Sequence, residues 1–136
     1  MNIIVSGKFS YEIGNEANSY ILWLRQIISE ANLANIKTNL GHIVFFPVII
    51  SDEFPISKKS ARSYSRKEDT EFINTEIQYY QWVKADDQEK AGLLLNSLRE
   101  AIIGTKDSKI EKASKDEILE RVFHASLSRP FVPSDD

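Results

Sequence analysis

The residues from which a catalytic or metal site would be built are sparse: two histidines, no cysteine and twenty Asp and Glu side chains. His42 and His124 lie 82 positions apart, and neither has a second histidine in an H-x-x-x-H spacing that would let one helix face present two ligands. The carboxylates pair as neighbours at Asp52-Glu53, Glu68-Asp69, Asp86-Asp87 and Asp116-Glu117. Adjacent side chains point to opposite faces of a strand and about 100° apart on a helix, so none of these pairs is poised for acid–base work. Glycosidase-type chemistry would have to draw its carboxylates from distant segments, and no feature of the chain favours it. The five glycines form no G-x-G-x-x-G, no G-x-x-x-x-G-K-[ST] and no G-x-S-x-G, which leaves no phosphate cradle and no nucleophile elbow. The sequence therefore predicts a protein that is not an enzyme, with no catalytic residues, no metal and no cofactor.

The sharpest charge feature is the basic run Lys58, Lys59, Arg62, Arg66 and Lys67. It has two readings. One is an anion site for a small acidic ligand or nucleic acid. The other is an exposed edge strand, where lysines oppose sheet-to-sheet association. Glu68, Asp69 and Glu71 follow at once and cancel part of the field, which favours the edge strand.

The elements that would position any site follow from periodicity. With 136 residues, 42% apolar and 27% charged, the chain has the size and composition of a single domain with a real core. A formal net charge of −3 supports no extended nucleic-acid or anionic-membrane surface. The longest apolar run, IVFFPVII, has eight residues and includes a proline, well short of a membrane span, and the N-terminus lacks the form of a secretion signal. A cytoplasmic location fits these features and the absence of cysteine.

Residues 2–12 alternate as a half-buried strand, with Ile3, Val5, Phe9 and Tyr11 on one face. Asn15 is the expected N-cap of a helix whose stripe is Ala17, Tyr20, Ile21, Leu24, Ile27, Ile28 and Ala31. Gly41–Ser51 reads as a second strand in which Pro47, lacking a donor, belongs at an edge or bulge. Ser57–Lys67 is a weak strand, and a longer one runs from Thr70 to Val83. Asp86 with Glu89 gives capping-box spacing for a helix carrying Ala91, Leu94, Leu95, Leu98 and Ile102, with Gly104 after its end. Ser114 with Glu117 repeats that spacing before a helix carrying Ile118, Leu119, Val122 and Phe123. From about residue 128 the tail, with two prolines, is expected to be loosely held. The order is β-α-β-(β)-β-α-α. It predicts a single α+β domain with a mostly antiparallel sheet of three to four strands and helices packed on one face.

The long strand carries the functional reading. Its odd positions, Ile73, Ile77, Tyr79 and Val83, suit a core, which leaves Glu76, Tyr80 and Trp82 on the other face. Tyr and Trp concentrate binding energy at interfaces, and Asp86 and Asp87 add an acidic margin suited to a basic partner. The opposite parity, with Tyr80 and Trp82 completing the core, remains open, since alternation alone does not say which face is covered.

The segment Arg62–Gly104 resembles the second half of several bacterial immunity-protein families of the contact-dependent growth inhibition type. It has a basic stretch (RSYSRK), a strand with an aromatic end (EIQYYQWV), an acidic connection (KADDQEK) and a leucine-rich helix (LLLNSLREAI). Such proteins neutralise a polymorphic toxin, often a nuclease, by binding its C-terminal domain and blocking the active site, and their genes normally lie directly downstream of the toxin gene. The resemblance implies an antitoxin that acts by protein–protein contact, with no catalytic residues to carry over. The small net charge and short apolar runs argue against a membrane partner and direct nucleic-acid binding. The contacts expected from the strand's outer face and its acidic margin are Glu76, Tyr80, Trp82, Asp86 and Asp87.

Overall fold

The computed structural model describes residues 1–6, 14–50, 61–67 and 69–133, and only the backbone of residues 14–17 and 61–67. Within these residues lie β1 (Asn2–Val5), α1 (Gly14–Ala31), a 3-10 turn (Leu33–Asn35), β2 (His42–Ile50), β3 (Ala61–Lys67), β4 (Thr70–Gln78), α2 (Tyr79–Lys84), α3 (Asp87–Ile103) and α4 (Lys112–Ser128). The fold is α+β, but its sheet is not the mostly antiparallel one expected. The strands are ordered β1-β2-β4-β3, and β1, β2 and β4 all run parallel. Only β3, at the edge, pairs antiparallel, through a hairpin onto β4. The reason lies in the connections. A crossover helix such as α1 returns the chain to start the next strand in the same direction, whereas a tight turn reverses it.

Pro47 sits in an interior strand without breaking it. Asn2 donates its N–H to the Gly41 carbonyl and Ser6 to that of Phe45, so odd positions of β2 point their backbone groups toward β1. Even positions point toward β4, as His42 does in donating to the Asp69 carbonyl. β1 ends at Val5 opposite Phe45, so position 47, whose nitrogen faces β1 and has no hydrogen to donate, falls where that pairing stops.

The odd-numbered face of β2 and β4 is the buried one. Ile43, Phe45, Ile49, Ile73 and Ile77 form a single core with Ile3 and Val5 of β1, the stripe Tyr20–Ala31 of α1, Leu94, Leu98 and Ile102 of α3, and Ile118 and Val122 of α4. Arg25 of α1 fastens β1 to this layer by donating from Nε and Nη2 to the Val5 carbonyl, at 3.1 and 2.8 Å. At the other end of the sheet Lys109 reaches the buried Glu71 carboxylate at 2.5 Å and ties the α3–α4 connection to β4.

Several boundaries differ from those expected. β1 stops at Val5, and Phe9 and Tyr11 lie outside the described residues. α4 begins at Lys112 rather than after Ser114, whose hydroxyl instead donates to the Lys37 carbonyl. Gly104 closes α3 in a right-handed conformation, φ −73°, so its freedom to adopt positive φ is not used. The tail is anchored, not loose, through residue 131. Phe131 is 2% exposed and stacks on Tyr20 at 4.2 Å, and its carbonyl accepts from Gln88 Nε2 at 2.6 Å. Trp23 Nε1 donates to the Arg129 carbonyl at 2.8 Å.

Candidate functional site

The strand expected to run through Val83 ends at Gln78, and the chain turns directly into α2. That change of period from 2 to 3.6 rearranges every side chain beyond it. Val83, expected in the core, is 49% exposed, and Tyr79 is half-buried. Trp82, expected as a surface contact, is 0% exposed. Its ring packs edge-to-face on Tyr20 at 5.2 Å, with the Lys90 ammonium 5.5 Å from the ring centre. Trp82 is therefore the core anchor of α2, and the opposite parity holds for it. Tyr80, two residues earlier, is 57% exposed.

α3 starts immediately after this turn, and the capping box is present as the sequence indicated. Asp86 Oδ1 accepts from the Glu89 N–H at 2.8 Å, and Glu89 Oε1 accepts from the Asp86 N–H at 3.3 Å. Asp87 accepts from the Tyr20 hydroxyl at 2.8 Å. Both aspartates are exposed, so each holds the corner in place with one oxygen while its charge faces solvent. Tyr80 lies on α2 and lines a depression with Lys84, Glu89 and Leu93, while Asp86 and Asp87 open α3 two residues after α2 ends.

Glu76 is not part of that corner. It lies on the even-numbered face of β4, opposite the helices and in register with Val48, and it is half-buried. Of the basic run, Lys58 and Lys59 lie outside the described residues. Arg62, Arg66 and Lys67 belong to the edge strand β3, of which the backbone alone is described. His42 opens β2, and His124 sits on the outer flank of α4 with Glu120 at 3.8 Å.

The sequence reading missed a second surface feature, a groove of about 460 Å³ between α3 and α4. Its lining from α3 includes Gly92, Leu95 and Arg99, and from α4 Asp116, Leu119 and Phe123, each set spaced at one helix face. Phe123 was expected on the core stripe but is 56% exposed. The available signal was the width of the apolar stripe: Ile118, Leu119, Val122, Phe123 and Leu127 span more of the helix than one packing face requires.

Beside the groove the α3–α4 connection is rigidly pinned. The buried Lys115 donates to the carbonyls of Ile103 and Thr105 and to Asp107 Oδ1, the last at 2.9 Å. The Lys115 hydrogen bond, with its charge, holds the Asp107 carboxyl below the usual carboxylate range. On the far side Arg129 pairs with Glu30 at 2.5 Å, which raises the guanidinium's pKa further.

No described helix is long and apolar enough to cross a membrane. Residues 1–125 match the family model described as Immunity protein 44. No curated protein and no solved structure matches the chain.

Proposed function

The chain belongs to the Immunity protein 44 family, and from that premise we propose that it neutralises a cognate toxin, a nuclease, by binding the toxin's C-terminal domain and covering its active site with the α2–α3 corner. The observation that carries this reading is the exposed Tyr80 on α2, which the fully buried Trp82 anchors, with the exposed carboxylates of Asp86 and Asp87 at the start of the next helix. A tyrosine, with only two side-chain torsions, loses little conformational entropy on association and supplies both apolar area and a hydroxyl. Acidic groups around it suit a nuclease, whose nucleic-acid cleft must itself be cationic. Glu76, on the far sheet face, would contact the toxin only if the interface wraps the end of β4. Trp82 acts by positioning, not by contact.

The test is calorimetric titration of the full chain with the C-terminal domain encoded by the gene immediately upstream. Tyr80→Ala should weaken binding by about 2 kcal/mol, the range of an interface anchor, with an unchanged melting temperature. Asp87→Asn retains an oxygen to accept from Tyr20 but removes the charge, and should slow association at low salt. Wild-type affinity in both variants would show that the corner is not the contact surface.

A further inference from the structure

Gly92 is the least explained residue of α3. Glycine in a helix interior is destabilising relative to alanine, and it is usually tolerated for a positive φ or for close packing. Neither applies here. No described glycine has a positive φ, and a Cβ built at Gly92 meets nothing within 4 Å. The residue nevertheless stands where two surface depressions meet. One is the groove floored by Leu95 and Leu119 and ending at Phe123, and the other lies between α2 and α3 and contains Tyr80 and Leu93. Gly92, with no side chain, and Asn96 line both depressions, which hold two exposed aromatic side chains, Tyr80 at 57% and Phe123 at 56%.

The charges along the groove are not balanced within it. Asp116 and Glu120 stand one turn apart on α4, both exposed, and like charges at that spacing repel. Among the described residues Asp116 has no ion-pair partner, and Glu120 has only His124 at 3.8 Å. Arg99 lines the same groove and pairs with neither. A cation brought in by a partner would relieve that repulsion.

We propose that the surface from Tyr80 across Gly92 to Phe123 is one continuous docking face, and that its occupant is a segment of the toxin domain carrying an apolar side chain beside a basic one. The apolar side chain seats on Leu95, Leu119 and Phe123. The basic one meets Asp116 and Glu120, and Gly92 lets the segment's backbone approach α3 closely. This rests on the toxin-binding reading above and extends it to a second element, α4, and to the chemistry of the toxin segment that binds.

The probe is again the C-terminal domain encoded immediately upstream, titrated into the full-length chain. Gly92→Arg fills open space and improves helix propensity, so its melt should match or exceed wild type while binding falls at least about tenfold. Phe123→Asp should weaken binding by a similar factor. Arg99→Glu should tighten binding at low salt and Asp116→Lys weaken it, both effects shrinking as salt is raised. Wild-type binding by Gly92→Arg and Phe123→Asp, with Tyr80→Ala impaired, would overturn this inference and leave the toxin-binding reading standing. Weaker binding by Arg99→Glu would overturn the basic occupant. A wild-type dimer that Phe123→Asp dissociates without affecting toxin binding would make the face a self-contact and overturn the proposal. A wild-type chain that does not bind the domain at all would overturn both readings.

Discussion

Tyr80 and Trp82 are two positions apart and have opposite roles, and the difference between them is a testable property of single side chains. Trp82 is fully buried against Tyr20, so Trp82→Ala should cost about 3–5 kcal/mol of stability, measured by urea denaturation, whatever it does to binding. Tyr80→Ala should leave the urea midpoint where it is. Gly92→Ala should stabilise the fold by about 0.5–1 kcal/mol, because the position is helical and the space around it open. Asp107 gives a pH-dependent counterpart. Its folded pKa is depressed by Lys115, so its contribution is complete above the unfolded value, about 3.9, and is lost as pH falls through the folded one. Asp107→Asn should therefore melt slightly earlier than wild type at neutral pH, and the gap should narrow as the pH is lowered below the unfolded value. An equal gap at neutral and at low pH would mean that the carboxylate charge is not what Lys115 recognises.

At the scale of elements, the three long helices were legible, while the short α2 and the sheet's directions were not. The α1 stripe from Tyr20 to Ala31 and the Asp86–Glu89 capping box are set by contacts within a few residues, and both appear where periodicity and spacing place them. Strand direction depends on partners far apart in sequence. A signal was nonetheless present: the nearly unbroken apolar run of β2 behind a strand–helix unit is the pattern of an interior parallel strand, not of an alternating antiparallel one. The end of β4 was lost because the alternation through Trp82 continues into α2, where parity no longer assigns a face. The tail was misjudged from its two prolines, since a single aromatic, Phe131, outweighs them by filling a site between Tyr20 and Trp23. Phe131→Ala should destabilise the protein by about 3 kcal/mol, whereas the adjacent Val132→Ala, at a position 76% exposed, should change nothing measurable in the same urea titration. Equal effects, or none at Phe131, would contradict the anchoring of the tail.

For the molecule as a whole, the candidate site was half legible. Tyr80, Asp86 and Asp87 could be singled out by type and spacing, and all three are exposed. Glu76 was grouped with them by strand parity, which the turn into α2 cancels. The groove at Gly92 and Phe123 depends on how α3 and α4 lie side by side, a relation that no spacing within either helix encodes. Membership of the immunity family implies a toxin partner, and the proposal above assigns that partner to these surfaces. The most direct test of the proposed function is to titrate the full chain into the purified C-terminal domain encoded by the gene immediately upstream while following the nuclease activity proposed for it. The account predicts a linear fall to complete inhibition at one equivalent. Full activity in the presence of excess chain would contradict it.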